Sequence, residues 1–155
     1  MSRNDLALKR KKLNYIFEKV GKYDSEDGEI DSYLAKYLCI LSSGFLEESI
    51  RTIYGNYAEG KSNRNVTEYV KKRLRSFQNA DYESILQTTY SFSNEWGNNL
   101  EKFVTEEMKT SINSIVNNKN LLAHGSNSGI TYDSLKNYFE NSLKVLDFLE
   151  TLCKK

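Results

Sequence analysis

The chain has 155 residues, of which 39% are hydrophobic and 28% charged, and its formal net charge is +1. That length and balance suit a folded chain that buries its own core, and they exclude a disordered polyelectrolyte. They also exclude an overall electrostatic pull on nucleic acid, so any such contact needs a local basic patch.

Proline is absent. Apolar spacing is helical along the chain, and no alternating stretch reads as a strand. A first helix is predicted over residues 4–22, with Leu6, Leu13, Ile16, Phe17 and Val20 on its apolar face. Arg10, Lys11 and Lys12 lie off that face and read as a solvated charge run. The acidic turn from Asp24 to Gly28 suits the positive end of the next helix. That helix is the longest, predicted over residues 29–54. Ile30, Tyr33, Leu34, Tyr37, Leu38, Leu41, Phe45 and Ile50 recur in it at threes and fours. Ser42, Ser43 and Gly44 interrupt it with small residues that suit a closely packed neighbour. Glu47 and Glu48 precede Arg51 at intrahelical pairing distance. A stop is expected at Gly55-Asn56, with Gly60 closing a loop.

The next helix is predicted to start near Asn65, where Glu68 completes a capping-box pattern. Val70, Leu74 and Phe77 face inward. Lys71, Lys72, Arg73 and Arg75 make the densest basic cluster of the chain. A solvated face is its ordinary reading, and with Tyr69 and Phe77 nearby an RNA contact is the alternative. Asn79 to Asp81 reads as a turn. Tyr82, Ile85, Leu86 and Tyr90 form a shorter helix, broken at Ser91 to Asn94, and Trp96, Leu100 and Phe103 continue the core. A further helix begins near Thr105 and stops at Gly125. After a polar loop, Thr131 caps a last helix. Its broad apolar face runs from Leu135 through Phe139 to Cys153; most of it reads as core, with part available for a dimer contact. No linker divides the chain, so a single all-α domain over residues 1–155 is expected.

No apolar run reaches the roughly 18 residues of a membrane span. The basic N-terminus lacks the apolar core of a secretory signal. Cys39 and Cys153 read as reduced, buried thiols of a cytoplasmic protein. One histidine and two distant cysteines cannot form a zinc site of familiar spacing, so neither metal nor cofactor is expected.

The chemistry concentrates in Asn117–Gly125, NNKNLLAHG, which holds the only histidine, His124. Lys119 lies five residues earlier, about 140° away on an ideal helix. The two share a site only if the helix ends at Ala123-His124, or if a second subunit supplies one of them. One imidazole cannot be acid and base at once, whereas two copies across a two-fold axis can. An adjacent cation suits a phosphoryl transition state, and RNA carries its own 2′-OH nucleophile. The plainer reading is a lone histidine that caps a helix C-terminus. Ser126 lacks the strand-turn-helix setting of a nucleophile.

The run SIVNNKNLLAHGSNSGITYDSLKNYFE resembles the motif region of the HEPN superfamily, helical ribonucleases of prokaryotic defence and toxin systems. Upstream, LCILSSGFLEESIR and VTEYVKKRLRSFQNADYESIL resemble the RiboL-PSP-HEPN subgroup or the similar MAE-like HEPN nucleases, in the same order. The resemblance covers roughly residues 30–150. It implies an up-and-down helical bundle that dimerises, with two motifs facing each other in one cleft. It further implies metal-independent RNA cleavage through 2′-OH attack, in a cytoplasmic toxin-antitoxin or antiviral-defence setting with an antitoxin or defence partner protein. By position His124 matches the signature histidine and Asn120 the polar residue. Lys119 stands where the family has arginine, keeping the charge without the two-pronged fork. Ser126 stands where some members carry a modified tyrosine. Glu48, or its neighbour Glu47, matches the acidic position that orients the cation. The implied site is therefore catalytic His124, Lys119, Asn120 and Glu48, with Lys71, Lys72, Arg73 and Arg75 as RNA contacts. A catalytically silent dimer, binding protein or RNA, stands as the alternative.

Overall fold

The structure is a computed structural model that describes residues 2–23 and 25–154, so Asp24 of the acidic turn lies outside the described residues. Among them are seven helices and no strand: α1 (Arg3–Lys22), α2 (Gly28–Lys61), α3 (Arg64–Arg75), α4 (Tyr82–Phe92), α5 (Asn94–Phe103), α6 (Glu106–Ala123) and α7 (Tyr132–Lys154). The helices start where a short polar side chain can accept an orphan backbone N–H. Ser2, Asp27, Asn63, Asp81, Ser93 and Thr105 do this for α1 to α6. The Thr131 hydroxyl does it for α7, accepting from the Ser134 amide.

Two expected helix boundaries fail, around α2 and α3, and Ile30, Tyr33 and Tyr37, expected in the core, are exposed. The long helix does not stop at Gly55 but continues to Lys61. Packing explains it: the Lys71 stem of α3 lies over Gly55, and Tyr54 and Ala58 are buried on other faces. Burial of that surface outweighs the local cost of a helical glycine, about 1 kcal/mol. The α3 cap is Asn63, whose Oδ1 accepts from the Val66 amide, rather than the Asn65/Glu68 box.

The bundle is built around α2. Helices α2 and α7 run in the same direction and α1 runs against both. Phe139 of α7 stacks on Phe17 of α1 at 4.8 Å and meets Phe45 of α2 edge-on at 6.0 Å. Arg10 and Asp147 pair at 2.6 Å on the outside of the same contact. Helix α6 returns antiparallel to α7, where buried Asn141 donates to Ser111 at 3.0 Å. Fully buried Leu38, Leu46, Ile50, Ile115, Leu135 and Leu149 fill the centre. Helices α3 and α4 cover only the second half of α2: Tyr54 stacks on Phe92 at 4.6 Å, and Tyr57 meets Trp96 of α5. None of the described helices is long and apolar enough to cross a membrane.

Helices α4 and α5 pack closely at Gly97. A Cβ on Gly97 would lie 2.2 Å from Tyr90 Cδ1, at the root of the ring rather than its mobile tip. Gly97→Val is therefore expected to destabilise the fold by about 1–3 kcal/mol. For a chain of this length that lowers Tm by roughly 2–12 °C. A thermal melt checks it, and an unchanged Tm contradicts the packing.

Candidate functional site

The end of α6 is fixed by its own backbone. The Ser126 amide donates to the Leu121 carbonyl at 2.8 Å, and the Gly125 amide to the Leu122 carbonyl at 3.1 Å. These two bonds, with Gly125 at φ +73°, form a Schellman stop that needs a left-handed residue after the cap. The cap residue itself is His124, with φ −91° and ψ 9°. The loop beyond is tied back to α6, where Ser128 donates to Asn118 Oδ1 at 2.6 Å. His124 is therefore exposed on a rigid corner, and its ring makes no hydrogen bond or ion pair among the described residues. Asn120 is half-buried one turn earlier.

Lys119 points elsewhere. It is half-buried, and its ammonium donates to Asn79 Oδ1 at 3.0 Å. It also lies close to Cys39 of α2. Burial pushes that thiol up to about 11, and the charge of Lys119 opposes the rise. No carboxylate pairs with Lys119 among the described residues. Within one subunit, then, the cation faces α2 and the Asn79 turn while the imidazole faces solvent.

Asn79 was read only as part of a turn, and it proves to be the organising residue of this corner. Its backbone is left-handed, φ +54°, the one such non-glycine among the described residues. Asparagine tolerates that conformation better than most side chains, which is the signal that could have marked it. Its amide donates to Glu47 Oε1 at 2.9 Å. Arg51 pins the same turn from two residues earlier by donating to the Phe77 carbonyl, and lies 3.6 Å from Glu47. A relay of Glu47, Asn79 and Lys119 thus joins α2 to α6 through the turn after α3.

The two candidate carboxylates separate here. Glu48 is not brought to the motif: its Oε1 meets Lys9 of α1 at 2.6 Å. Glu47 is the acidic residue that reaches Lys119, through Asn79. The basic cluster also divides. Lys71 pairs with Glu59 at 3.1 Å and borders an open cleft of about 760 Å³ with Arg3, Tyr57, Glu150 and Cys153. That cleft lies at the far end of the bundle, and no residue of the motif lines it. Lys72, Arg73 and Arg75 are exposed, and Arg73 sits 5.9 Å over the Tyr69 ring. Arg75 ends α3, directly before the turn that carries Asn79. Among the described residues no three His, Cys, Asp or Glu side chains gather as a metal site.

A family model for RiboL-PSP-HEPN matches residues 4–155. The chain belongs to this HEPN family. No curated protein and no solved structure matches it. HEPN proteins are in general nucleases or RNA-binding proteins, and the all-helical fold agrees with membership.

The relay makes a prediction of its own. Asn79→Gly keeps the left-handed turn and removes only the acceptor for Lys119. Asn79→Ala removes the same acceptor but keeps a Cβ in the left-handed conformation, which glycine relieves, a difference of about 1 kcal/mol. The alanine variant is therefore expected to melt below the glycine variant. Equal melting temperatures contradict the positive φ at this position.

Proposed function

We propose that this HEPN protein is a metal-independent endoribonuclease that works as a homodimer, with two NNKNLLAHG segments forming one cleft. The observation that carries the reading is the state of Lys119: a half-buried ammonium whose partner is a neutral amide. A cation that no carboxylate neutralises among the described residues has a charge-assisted contact to gain from an arriving phosphate. His124, exposed on a rigid corner, supplies the proton chemistry.

In this mechanism the 2′-OH of RNA attacks the adjacent phosphorus. One His124 removes its proton, and the other protonates the departing 5′-oxygen, leaving a cyclic phosphate and a 5′-hydroxyl. Lys119 balances the charge that builds on the non-bridging oxygens. Asn120 hydrogen-bonds the substrate or the motif. Glu47, through Asn79, takes the orienting role that the family pattern gives to an acidic residue, and Glu48 serves the α1–α2 contact. Lys72, Arg73 and Arg75 offer phosphate contacts beside the Asn79 turn, with Lys71 already engaged by Glu59.

The test is cleavage of a labelled structured RNA with EDTA present. Wild type is expected to release products ending in cyclic phosphate, with His124→Ala slower by about 10²–10⁴-fold. Lys119→Arg is expected to raise the rate, because a two-pronged clamp fixes the phosphate better than a point charge. If wild type and Lys119→Arg are both inert on varied RNAs while folded and dimeric, the silent binding module replaces the nuclease.

A further inference from the structure

We propose that the open cleft at the far end of the bundle from the motif binds a small zwitterion, a short peptide or a free amino acid, whose ammonium meets Glu150 and whose carboxylate meets Arg3. The cleft measures about 760 Å³ and lies between the start of α1, the second half of α2, Lys71 of α3 and the end of α7. That volume falls in the range of sites that enclose small molecules. The proposed cleavage makes no use of it, since no residue of NNKNLLAHG lines it.

One wall of the cleft is built on a single helix. Thr52, Asn56 and Gly60 recur every four residues along α2, so each is turned only about 40° from the last and the three form a row. The row exists because α2 runs past its glycines to Lys61. The polar groups of this wall are not engaged by the fold. Buried Ser42, Ser49 and Thr89 each donate to the carbonyl four residues back. Thr52 is buried too, yet its hydroxyl makes no such bond among the described residues. It is not among the side-chain atoms sealed from solvent without a partner, so it opens on the cleft it lines. The Asn56 amide and the Tyr57 hydroxyl, half-buried beside it, also have no partner among the described residues. Unpaired donors and acceptors in a concave site are what fix the orientation of a polar ligand.

Charge sets the class of ligand. Lys71 and Glu59 neutralise each other at 3.1 Å. Arg3 and Glu150 line the same cleft, and neither forms an ion pair among the described residues. Both nonetheless act on one neighbour, the half-buried thiol of Cys153. Burial pushes that thiol up to about 12, Glu150 adds to the rise and Arg3 opposes it. Two opposite charges that share a neighbour but not a bond suit a molecule that carries both signs. An ammonium on Glu150 and a carboxylate on Arg3 each make a charge-assisted hydrogen bond, the stronger kind. A plain anion gains from Arg3 and is repelled by Glu150, and a plain amine meets the reverse. A peptide of two or three residues, at up to about 3.5 Å each, sets its two ends far enough apart to reach both groups.

The experiment is ligand-observed saturation-transfer NMR on the full chain. Trialanine is the probe, beside free alanine, trialanine amide, N-acetyl-trialanine and adenosine monophosphate. Trialanine is expected to bind with a millimolar Kd or tighter, and removal of either end charge to weaken it roughly tenfold or more, the worth of a charged hydrogen bond. The losses are paired with residues. Arg3→Gln should erase the difference between trialanine and its amide alone, and Glu150→Gln the difference between trialanine and N-acetyl-trialanine alone. Lys72→Gln, on the exposed side of α3, should change nothing. Free alanine binding as tightly as trialanine assigns the cleft to amino acids and keeps both contacts. Free and capped peptides that bind alike overturn the proposal, as does a folded wild type that takes up no trialanine at millimolar concentration. Adenosine monophosphate binding more tightly than trialanine, and more tightly still to Glu150→Gln, overturns it in favour of a plain anion site. None of these readouts depends on RNA cleavage.

Discussion

Helix α2 is longer than any helix packed against it, and that mismatch organises the molecule. At 1.5 Å per residue its 34 residues span about 50 Å, whereas α3 has 12 and α4 has 11. No single neighbour can bury its whole length. Helices α1 and α7 meet it around Phe45 and Glu48, α6 reaches it at Cys39, and α3 with Phe92 of α4 closes over its second half. The first half is left with an apolar face in solvent. The turn that ends the α3 cover, from Phe77 to Asp81, sits at the boundary between the covered and bare halves. Lys119 reaches that boundary from α6.

This placement gives the site its electrostatic character. Glu47 does not touch Lys119 directly; it is spent on the Asn79 amide and lies near Arg51. The amide oxygen of Asn79 then positions the ammonium without neutralising it. A direct carboxylate would hold Lys119 more strongly and leave less for a phosphate to gain. The left-handed backbone of Asn79 is part of the arrangement, since it turns the amide toward α2 and the side chain toward α6. The imidazole obeys a separate constraint. The Schellman stop at Gly125 ends α6 at His124 whatever the state of the relay.

Much of this was legible in the residues. Helical spacing located six of the seven described helices, α5 being read only as a continuation of the core, and Gly125 marked the stop behind His124. What was not legible depended on contacts distant in sequence. Gly55 and Gly60 signal a stop locally, and only the packing of α3 overrides it. Glu47 and Glu48 are neighbours about 100° apart on one helix, and either fits the motif by spacing. Lys9 claims one and the Asn79 turn claims the other. Periodicity assigned Ile30, Tyr33 and Tyr37 to a core because it detects an apolar face without saying what covers it. The relay through Asn79 spans 40 residues and has no local pattern beyond an asparagine in a turn.

The central claim is that one cleft uses the imidazoles of both copies, one as base and one as acid. Mixing wild type with an excess of His124→Ala tests it most directly, because each heterodimer then holds a single histidine. After the subunits exchange, the account predicts that cleavage falls with the square of the wild-type fraction, as only wild-type homodimers remain active. Cleavage that falls only in proportion to the wild-type fraction, with heterodimers shown to form, contradicts it.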